Sequence, residues 1–365
     1  MKRLAVLISL SGEGGVERMV LNLVRAFAGV AGLAVDLVLI RDESRHLRGL
    51  PANVRIVRLG VRHSALAVPA IARYLRRERP DALLAAKDRA GRAALLARRV
   101  AGVSTRVVVR LGTTLSEAIK DRSTPRRWLR YLPIRLLYRQ ADAIVAVSDG
   151  VAADVTATAR VPAGQVQVVR NPVITPELFR EAAEPVDHPW LAEPAVPVVM
   201  GIGRLTRQKD FPTLIRAFAA ARRQRPLRLI ILGEGRDRAQ LEQLAAREGV
   251  GADVDLPGFR PNPYSWLARS SLFVLSSAWE GSPNALTEAM ALGVPVVSTD
   301  CRSGPRELLD GGRHGRLVAV GDAEALATAM LETLDHPLPA EALKAAVKDY
   351  ASDTSARHYL RVLGL

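Results

Sequence analysis

Two glutamates, Glu280 and Glu288, stand at the clearest candidate site for chemistry in this sequence. An apolar run at 271–276 precedes them and is typical of a buried parallel strand. The pattern after that run predicts a loop that carries Glu280 and a helix that carries Glu288. An ionised carboxylate accepts hydrogen bonds from two hydroxyl groups at once, so such a pair suits a polyhydroxylated ligand.

The predicted helix should also offer a site for an anion at its first turn. Ser282 is a plausible N-cap and Pro283 suits the first helical position, where a missing N–H costs nothing. We expect the N–H groups of Asn284, Ala285 and Leu286 to be free to bind a phosphate. Two carboxylates beside such a site suit a sugar nucleotide. The alternative is that one glutamate complements the helix dipole and the other is solvated.

The elements around this junction follow an α/β pattern, in which strands and helices alternate along the whole chain. Strand-like runs in the first half lie at 4–10, 35–40, 54–59, 106–109, 143–147 and 166–169. A polar, proline-bearing stretch at 181–189 reads as a linker. A second series begins at Pro197 and runs to about residue 320. Two amphipathic helices, at 323–334 and 340–363, are predicted to close the chain.

Composition supports an intracellular protein of two domains. The chain has 365 residues, of which 48% are hydrophobic, enough for two cores. The single cysteine, Cys301, excludes an internal disulfide framework and fits a reducing compartment. The apolar start is too short for a signal peptide, and no stretch approaches the roughly 20 apolar residues of a membrane-spanning helix. We therefore expect a cytoplasmic protein, soluble or peripherally attached to the inner face of the membrane.

The charge is distributed unevenly. Residues 1–180 carry 31 Lys and Arg against 14 Asp and Glu, a net +17, whereas the remainder carries 21 against 23, a net −2. This asymmetry indicates an anionic partner for the first half, either a membrane or a nucleic acid. Aromatic residues make up only 4% of the chain, and no basic patch is interleaved with stacking rings. A nucleic-acid partner is therefore not expected.

The junction resembles the signature of two glutamates separated by seven residues in retaining glycosyltransferases of family 4, the group 1 glycosyl transferases with the GT-B fold. Further segments resemble the family in the same order: SGEGGVER at 11–18, NPV at 171–173, GRLTRQKD at 203–210, LIILGEG at 229–235, VDLPGF at 254–259, PVVSTD at 295–300, GPRE at 304–307 and GRLV at 315–318. Together these segments span most of the chain.

The resemblance implies an α/β fold of the GT-B type, with two Rossmann-like domains facing across a cleft. Residues 1–185 would form an acceptor-binding domain, to which a helix at 350–365 returns, and 186–349 would bind a nucleotide-sugar donor. The implied reaction moves a sugar, with UDP the favoured nucleotide carrier, to a glycan or lipid-linked acceptor in cell-envelope polysaccharide synthesis. Another GT-B reaction, such as that of an epimerase or a phosphorylase, is the alternative.

By the same resemblance, Arg204 and Lys209 bind the diphosphate, Glu280 faces the donor sugar and Glu288 bonds the ribose hydroxyls. A covalent role for Glu280 is a disfavoured alternative. The other residues expected to contact the donor are Gly14, Gly15, Gly203, Gly258, Phe259, Ser282, Asn284, Ala285 and Leu286. Because cations and helix N–H groups would stabilise the leaving diphosphate, no metal is expected. Asp253 and Asp255 have the spacing of a metal motif, but this match reads as accidental.

Two loops depart from known patterns. The glycines at 12–15 do not follow G-x-G-x-x-G, so a dinucleotide site of the dehydrogenase type is disfavoured. Many relatives carry a histidine after the strand at 106–109, where this chain has none, so its role would fall to backbone, Arg110, Thr113 or Thr114. The six histidines lie on no motif.

A basic and aromatic segment at 120–139 is the candidate membrane-binding element. It carries seven Lys and Arg against one acid, together with Trp128, Tyr131 and Tyr138. Pro133 is expected to divide it into two short helices. This composition is typical of a helix in the membrane interface, where it would bind anionic lipid. The alternative is that its apolar side packs on the core of the first domain.

Overall fold

The computed structural model describes residues 1–10, 15–42, 47, 49–61, 66–117, 124–192 and 195–365, with Asp42 and 124–130 described by their backbone alone. Two compact units emerge from the contacts within the chain. Unit 1 comprises Met1–Val173 and Tyr350–Leu365, and unit 2 comprises Ile174–Asp349.

The described strands are parallel throughout and, in chain order, have these bounds: β1 Lys2–Leu10, β2 Leu33–Asp42, β3 Val54–Arg58, β4 Ala82–Ala86, β5 Arg106–Leu111, β6 Ala143–Ala146, β7 Val166–Val168, β8 Val198–Ile202, β9 Arg228–Leu232, β10 Val254–Gly258, β11 Leu272–Leu275, β12 Val296–Thr299 and β13 Arg316–Val318.

The described α-helices have these bounds: α1 Gly15–Ala28, α2 Val68–Glu78, α3 Asp88–Ala101, α4 Thr124–Tyr138, α5 Asp149–Ala159, α6 Pro176–Ala182, α7 Pro189–Ala192, α8 Phe211–Arg222, α9 Arg238–Arg247, α10 Tyr264–Leu267, α11 Asn284–Ala291, α12 Pro305–Leu308, α13 Ala323–Asp335, α14 Ala340–Ala346 and α15 Ser352–Leu363.

Unit 1 is built on a sheet with strand order β3-β2-β1-β4-β5-β6-β7. The central strand β4 is apolar and buried along its length, because helices cover both faces of the sheet. Helices α2 to α5 bury one face, and α1 with α15 buries the other. On that second face the rings of Phe27 and Tyr359 meet edge to face, with centroids 6.5 Å apart.

Unit 2 repeats the plan with the order β10-β9-β8-β11-β12-β13. Helices α8, α9 and α13 form an apolar layer against its sheet. Both sheets are therefore the open, doubly wound type. In such sheets ligands bind beyond the carboxyl ends of the two strands where the order reverses. That position lies between β1 and β4 in unit 1 and between β8 and β11 in unit 2.

Three sequence expectations on secondary structure are corrected. The strand β4 is not among the runs that the pattern singled out, since Ala-Leu-Leu-Ala-Ala favours helix by composition and becomes a strand through burial. The closing segment is not one helix at 340–363, because a 3-10 turn at Lys348–Tyr350 separates α14 from α15. Pro133 lies inside a continuous α4 and does not divide it. Ile134 and Tyr138 on the following turn are buried in the core and hold the helix past the missing hydrogen bond.

Among the described residues, no helix combines the length and apolar character needed to cross a bilayer.

Candidate functional site

The loop that follows β8 carries the first candidate cation. The N–H of Gly203 donates to the carbonyl of Leu232 at 2.9 Å, which holds the loop against the next strand. A Cβ at Gly203 would lie 2.8 Å from Cε of Lys209, so glycine is what allows the lysine stem to cross this point. The sequence therefore places the Lys209 ammonium at the carboxyl edge of the sheet.

The loop that follows β11 is joined to the Lys209 loop by three hydrogen bonds to main-chain carbonyls. The hydroxyl of Ser276 donates to the carbonyl of Lys209 at 2.8 Å. The N–H of Ala278 donates to the carbonyl of Gln208 at 2.8 Å, and Nε2 of Gln208 donates to the carbonyl of Trp279 at 3.1 Å. These bonds fix the two loops at the strand-order reversal of unit 2.

At that position Lys209 and Glu280 form an ion pair, with Nζ and Oε1 2.5 Å apart. The hydroxyl of Ser277 donates to the same oxygen at 2.8 Å. Glu280 is 6% exposed, so its carboxylate is nearly desolvated and needs both donors. The arrangement presents a held carboxylate beside a partly exposed ammonium, which is what a ligand with hydroxyls and phosphates requires.

Glu288 lies on the second turn of α11 and is also buried. The hydroxyl of Tyr264, from α10, donates to its Oε1 at 3.3 Å. Tyr264 is itself buried, so the contact fixes one side of the carboxylate. The two glutamates of the sequence signature thus sit in different environments, one held by a cation and one by a phenol.

The start of α11 differs from the sequence expectation. The helix begins at Asn284, with Pro283 rather than Ser282 in the capping position and without a side-chain cap. The N–H of Leu286 donates to the carbonyl of Pro283 at 3.1 Å, so that N–H is not free for an anion. The reason is that Pro283 adopts extended backbone, with φ −77° and ψ 94°, and offers its own carbonyl to the first turn.

The remaining predicted donor contacts are spread over both units. In unit 2, Arg204 is exposed in the turn after β8, and Ala285 is half-buried in the first turn of α11. Gly258 ends β10 with φ 88°, and Phe259, which follows it, is 39% exposed. In unit 1, Gly15 is the exposed first residue of α1. Gly14 lies outside the described residues.

Sequence reasoning missed Ser277 and Tyr264, and it did not place Cys301 near the site. Ser277 stands three residues before Glu280, a spacing that could have suggested a partner. Cys301 follows β12, and burial together with the nearby Glu280 carboxylate raises the pKa of its thiol to about 12. The thiol is therefore protonated at neutral pH and poorly reactive.

The two aspartates with metal-motif spacing are occupied by protein partners. Asp253 pairs with Arg222 and Arg228, and Nε2 of His188 donates to Oδ2 of Asp255 at 3.0 Å. Within the described ranges, no cluster of three or more His, Cys, Asp or Glu has the arrangement of a metal site. The expectation that the protein works without a metal stays a prediction.

Three side chains could take the role of the family histidine, namely Arg110, Thr113 and Thr114, and they differ in exposure. Arg110 is fully buried, with Nη2 donating to Oδ1 of Asn171 at 2.8 Å, and burial lowers its pKa. Thr114 is buried as well, whereas Thr113 is exposed.

Comparison with known proteins identifies the family. The family models for glycosyl transferases group 1 and for glycosyltransferase family 4 match residues 196–336 and 13–177. The lipopolysaccharide core biosynthesis glycosyltransferase LpsE of Rhizobium meliloti is 32% identical over 334 residues, covering 87% of this chain and 85% of that protein. This chain belongs to the same glycosyltransferase family.

Two further comparisons agree with that assignment. This glycosyltransferase is 29% identical over 373 residues to the N-acetylgalactosamine-N,N'-diacetylbacillosaminyl-diphospho-undecaprenol 4-alpha-N-acetylgalactosaminyltransferase of Campylobacter jejuni, covering 99% of this chain and 97% of that one. The Anabaena protein Alr3699/HepE in complex with UDP-glucose superposes with a TM-score of 0.79 at 20% identity, covering all of both chains. At that identity the superposition shows the shared GT-B fold.

Proposed function

We propose that this enzyme transfers a sugar from a nucleoside-diphosphate donor, with UDP the favoured carrier, to a glycan or lipid-linked acceptor in cell-envelope polysaccharide synthesis. The observation that carries the proposal is the Lys209–Glu280 pair at the strand-order reversal of unit 2. Cations there can stabilise a leaving diphosphate, and a held carboxylate can orient sugar hydroxyls.

Each polar side chain of the site has a defined role in this proposal. Lys209 and the exposed Arg204 bind the diphosphate, whose charge rises as the bond from the anomeric carbon to the phosphate oxygen breaks. Glu280 accepts hydrogen bonds from the donor sugar, and Glu288, oriented by Tyr264, accepts them from the ribose. The acceptor hydroxyl attacks the anomeric carbon on the face that the phosphate leaves, and its proton passes to the departing phosphate oxygen.

The names of the relatives support the choice of substrates. One full-length relative is named for lipopolysaccharide core biosynthesis, and the other for transfer to a diphospho-undecaprenol glycan. A structural neighbour was solved with UDP-glucose. None of these names an epimerase or a phosphorylase, which leaves the alternative reactions without support.

A peripheral contact with the inner face of the cytoplasmic membrane, through the basic segment at 120–139, is part of the proposal. On the described side of α4, Leu132 and Leu136 are 38% and 59% exposed, although Ile134 and Tyr138 pack in the core. Arg139 lies exposed close by, and Arg135 is half-buried. Exposed leucines flanked by arginines suit the interface of an anionic bilayer. Residues 120–123 lie outside the described part of the chain.

A donor screen tests the proposal. The full chain is incubated with a panel of UDP- and GDP-sugars and detergent-solubilised envelope lipid, and the released nucleoside diphosphate is measured. We expect release from one donor class, and its loss in Glu280→Ala. Conversion of the donor sugar to its epimer without nucleotide release would contradict the proposal.

A further inference from the structure

The sheet of unit 1 carries its own lysine–glutamate pair at the place where its strand order reverses. Lys87 follows β4 directly, and its Nζ lies 3.0 Å from the carbonyl oxygen of Ser9, near the end of β1. The same Nζ lies 3.1 Å from Oε1 of Glu17, on α1. These are the two strands between which open α/β sheets bind ligands. In unit 2 the equivalent position holds Lys209 and Glu280.

The backbone of Lys87 is strained. Its φ of 88° and ψ of 147° lie in a region that is essentially restricted to glycine. The N–H of Lys87 donates to the carbonyl of Arg110 and its carbonyl accepts from Gly91, so neighbouring elements hold this conformation. Strain of this kind concentrates at functional sites, where the surrounding structure maintains it.

Lysine is rare in this chain. Six lysines stand beside 46 arginines, and two of the six are Lys87 and Lys209. An ammonium differs from a guanidinium in being a compact point charge with three rotatable donors, which suits a single oxyanion. The presence of lysine at both strand-order reversals, in a chain whose cationic residues are mostly arginine, points to the same kind of ligand chemistry at both.

The ammonium of Lys87 can reach a ligand. Its side chain is 34% exposed, whereas that of Glu17 is 5% exposed, so the glutamate lies beneath and the lysine faces outward. Ser9 and Glu17 take two of its three N–H groups, and the described part of the chain supplies no acceptor for the third. The buried Arg110, near the carboxyl end of the neighbouring strand β5, adds positive charge at the same edge.

We infer that Lys87 is an acceptor-binding residue, which holds an oxyanion of the acceptor at the carboxyl edge of the unit 1 sheet. The inference rests on the proposed function, since it assigns the acceptor of that reaction to unit 1. Glu17 and the Ser9 carbonyl are positioning groups that orient the ammonium. The oxyanion is either a phosphate of a lipid-linked acceptor or a carboxylate of an acidic sugar.

Lysine acylation on the intact chain tests the inference, using inorganic phosphate and acetate as probes with UDP saturating. The rate at which an amine-reactive ester modifies each lysine is read by peptide mass spectrometry. At a probe concentration ten times its Kd, we expect Lys87 to be protected about tenfold. Protection by phosphate alone indicates a phosphate-bearing acceptor, and protection by acetate as well indicates a carboxylate. Lys344, exposed and paired with Glu341, is the internal control and should be unaffected.

Variants complete the test by calorimetric titration of phosphate into the UDP-saturated protein. Lys87→Met should weaken phosphate binding by at least tenfold, and Lys344→Met should leave it unchanged. No protection of Lys87 by either anion, or its protection by UDP alone, overturns the inference. If UDP does not protect Lys209, the proposed donor site is wrong. A failure of the proposed function can therefore be told apart from a failure of the inference about Lys87. Should Lys87→Met not fold, the acylation of the wild-type chain decides.

Discussion

Lys209 and Glu280 are 71 residues apart in the sequence, yet their charged atoms lie 2.5 Å apart at the edge of the unit 2 sheet. The pair exists because β8 and β11 are neighbours in the sheet although β9, β10 and their helices separate them in the chain. Each charge compensates the other in a nearly desolvated position. Removing one partner therefore changes both ligand binding and the charge of the residue left behind.

We expect Glu280→Ala and Lys209→Ala each to lower kcat about 10²–10³-fold, as for the loss of one charged contact in a transition state. The double variant should lose much less than the product of the two, because the residues act as a pair. Initial rates of nucleotide release, with circular dichroism as the folding control, provide the measurement. Near-wild-type turnover in either single variant would refute the site assignment.

Tyr264→Phe should act through Glu288. The variant removes the phenol that orients the carboxylate without changing the packing of the ring, so we expect KM for the donor to rise several-fold and kcat to change little. Glu288→Gln should raise the same KM further. Tyr131→Phe, in α4 of unit 1, is the matched control. An unchanged donor KM in Tyr264→Phe would show that the contact is incidental.

Chelation should leave activity largely intact. The prediction follows from the positions of Arg204 and Lys209, whose charges can replace that of a divalent ion at the diphosphate. Rates are compared before and after dialysis against EDTA, with Mg²⁺ and Mn²⁺ added back. Loss of activity that either ion restores would contradict it.

The stability of unit 1 should decrease as the pH is lowered, because the ion pair between Glu78 and Arg55 needs an ionised carboxylate. Hydrogen bonding to Arg55 lowers the pKa of Glu78 from 4.5 to about 2. A depressed folded-state pKa stabilises the protein above the unfolded value, and that stability is lost as pH falls from about 4.5 towards 2. Thermal midpoints between pH 5 and 2.5 should drop less in Glu78→Gln than in the wild type. Glu341→Gln, at an exposed pair, should follow the wild type.

Liposome co-sedimentation tests the membrane contact of α4. Binding should rise with the anionic lipid content and fall with salt, because each arginine near such a surface contributes about 1 kcal/mol. Replacing Arg126, Arg127 and Arg130 with Ser should abolish it. Replacing Arg222, Arg223 and Arg225 of unit 2 with Ser is the matched control. Equal binding to neutral and anionic vesicles would refute the contact.

The fold could be predicted, and the candidate site residues could be selected, because both depend on local patterns. Apolar runs, glycine turns and the two glutamates occur within short segments that can be read one at a time. The partners of those residues could not be predicted in the same way. Tyr264 meets Glu288 through the packing of α10. The prediction of a free N–H at Leu286 was wrong, because the carbonyl of Pro283 accepts a hydrogen bond from it. Such contacts depend on tertiary geometry that spacing alone does not encode.

The last helix, α15, completes a unit that begins with the first strand. Its buried residues Ala356, Tyr359 and Val362 belong to the same core face as α1. During synthesis every residue of unit 2 leaves the ribosome before this helix does, so part of one face of unit 1 remains uncovered while unit 2 can already fold. The amino-terminal unit is therefore the first to be made and the last to be closed.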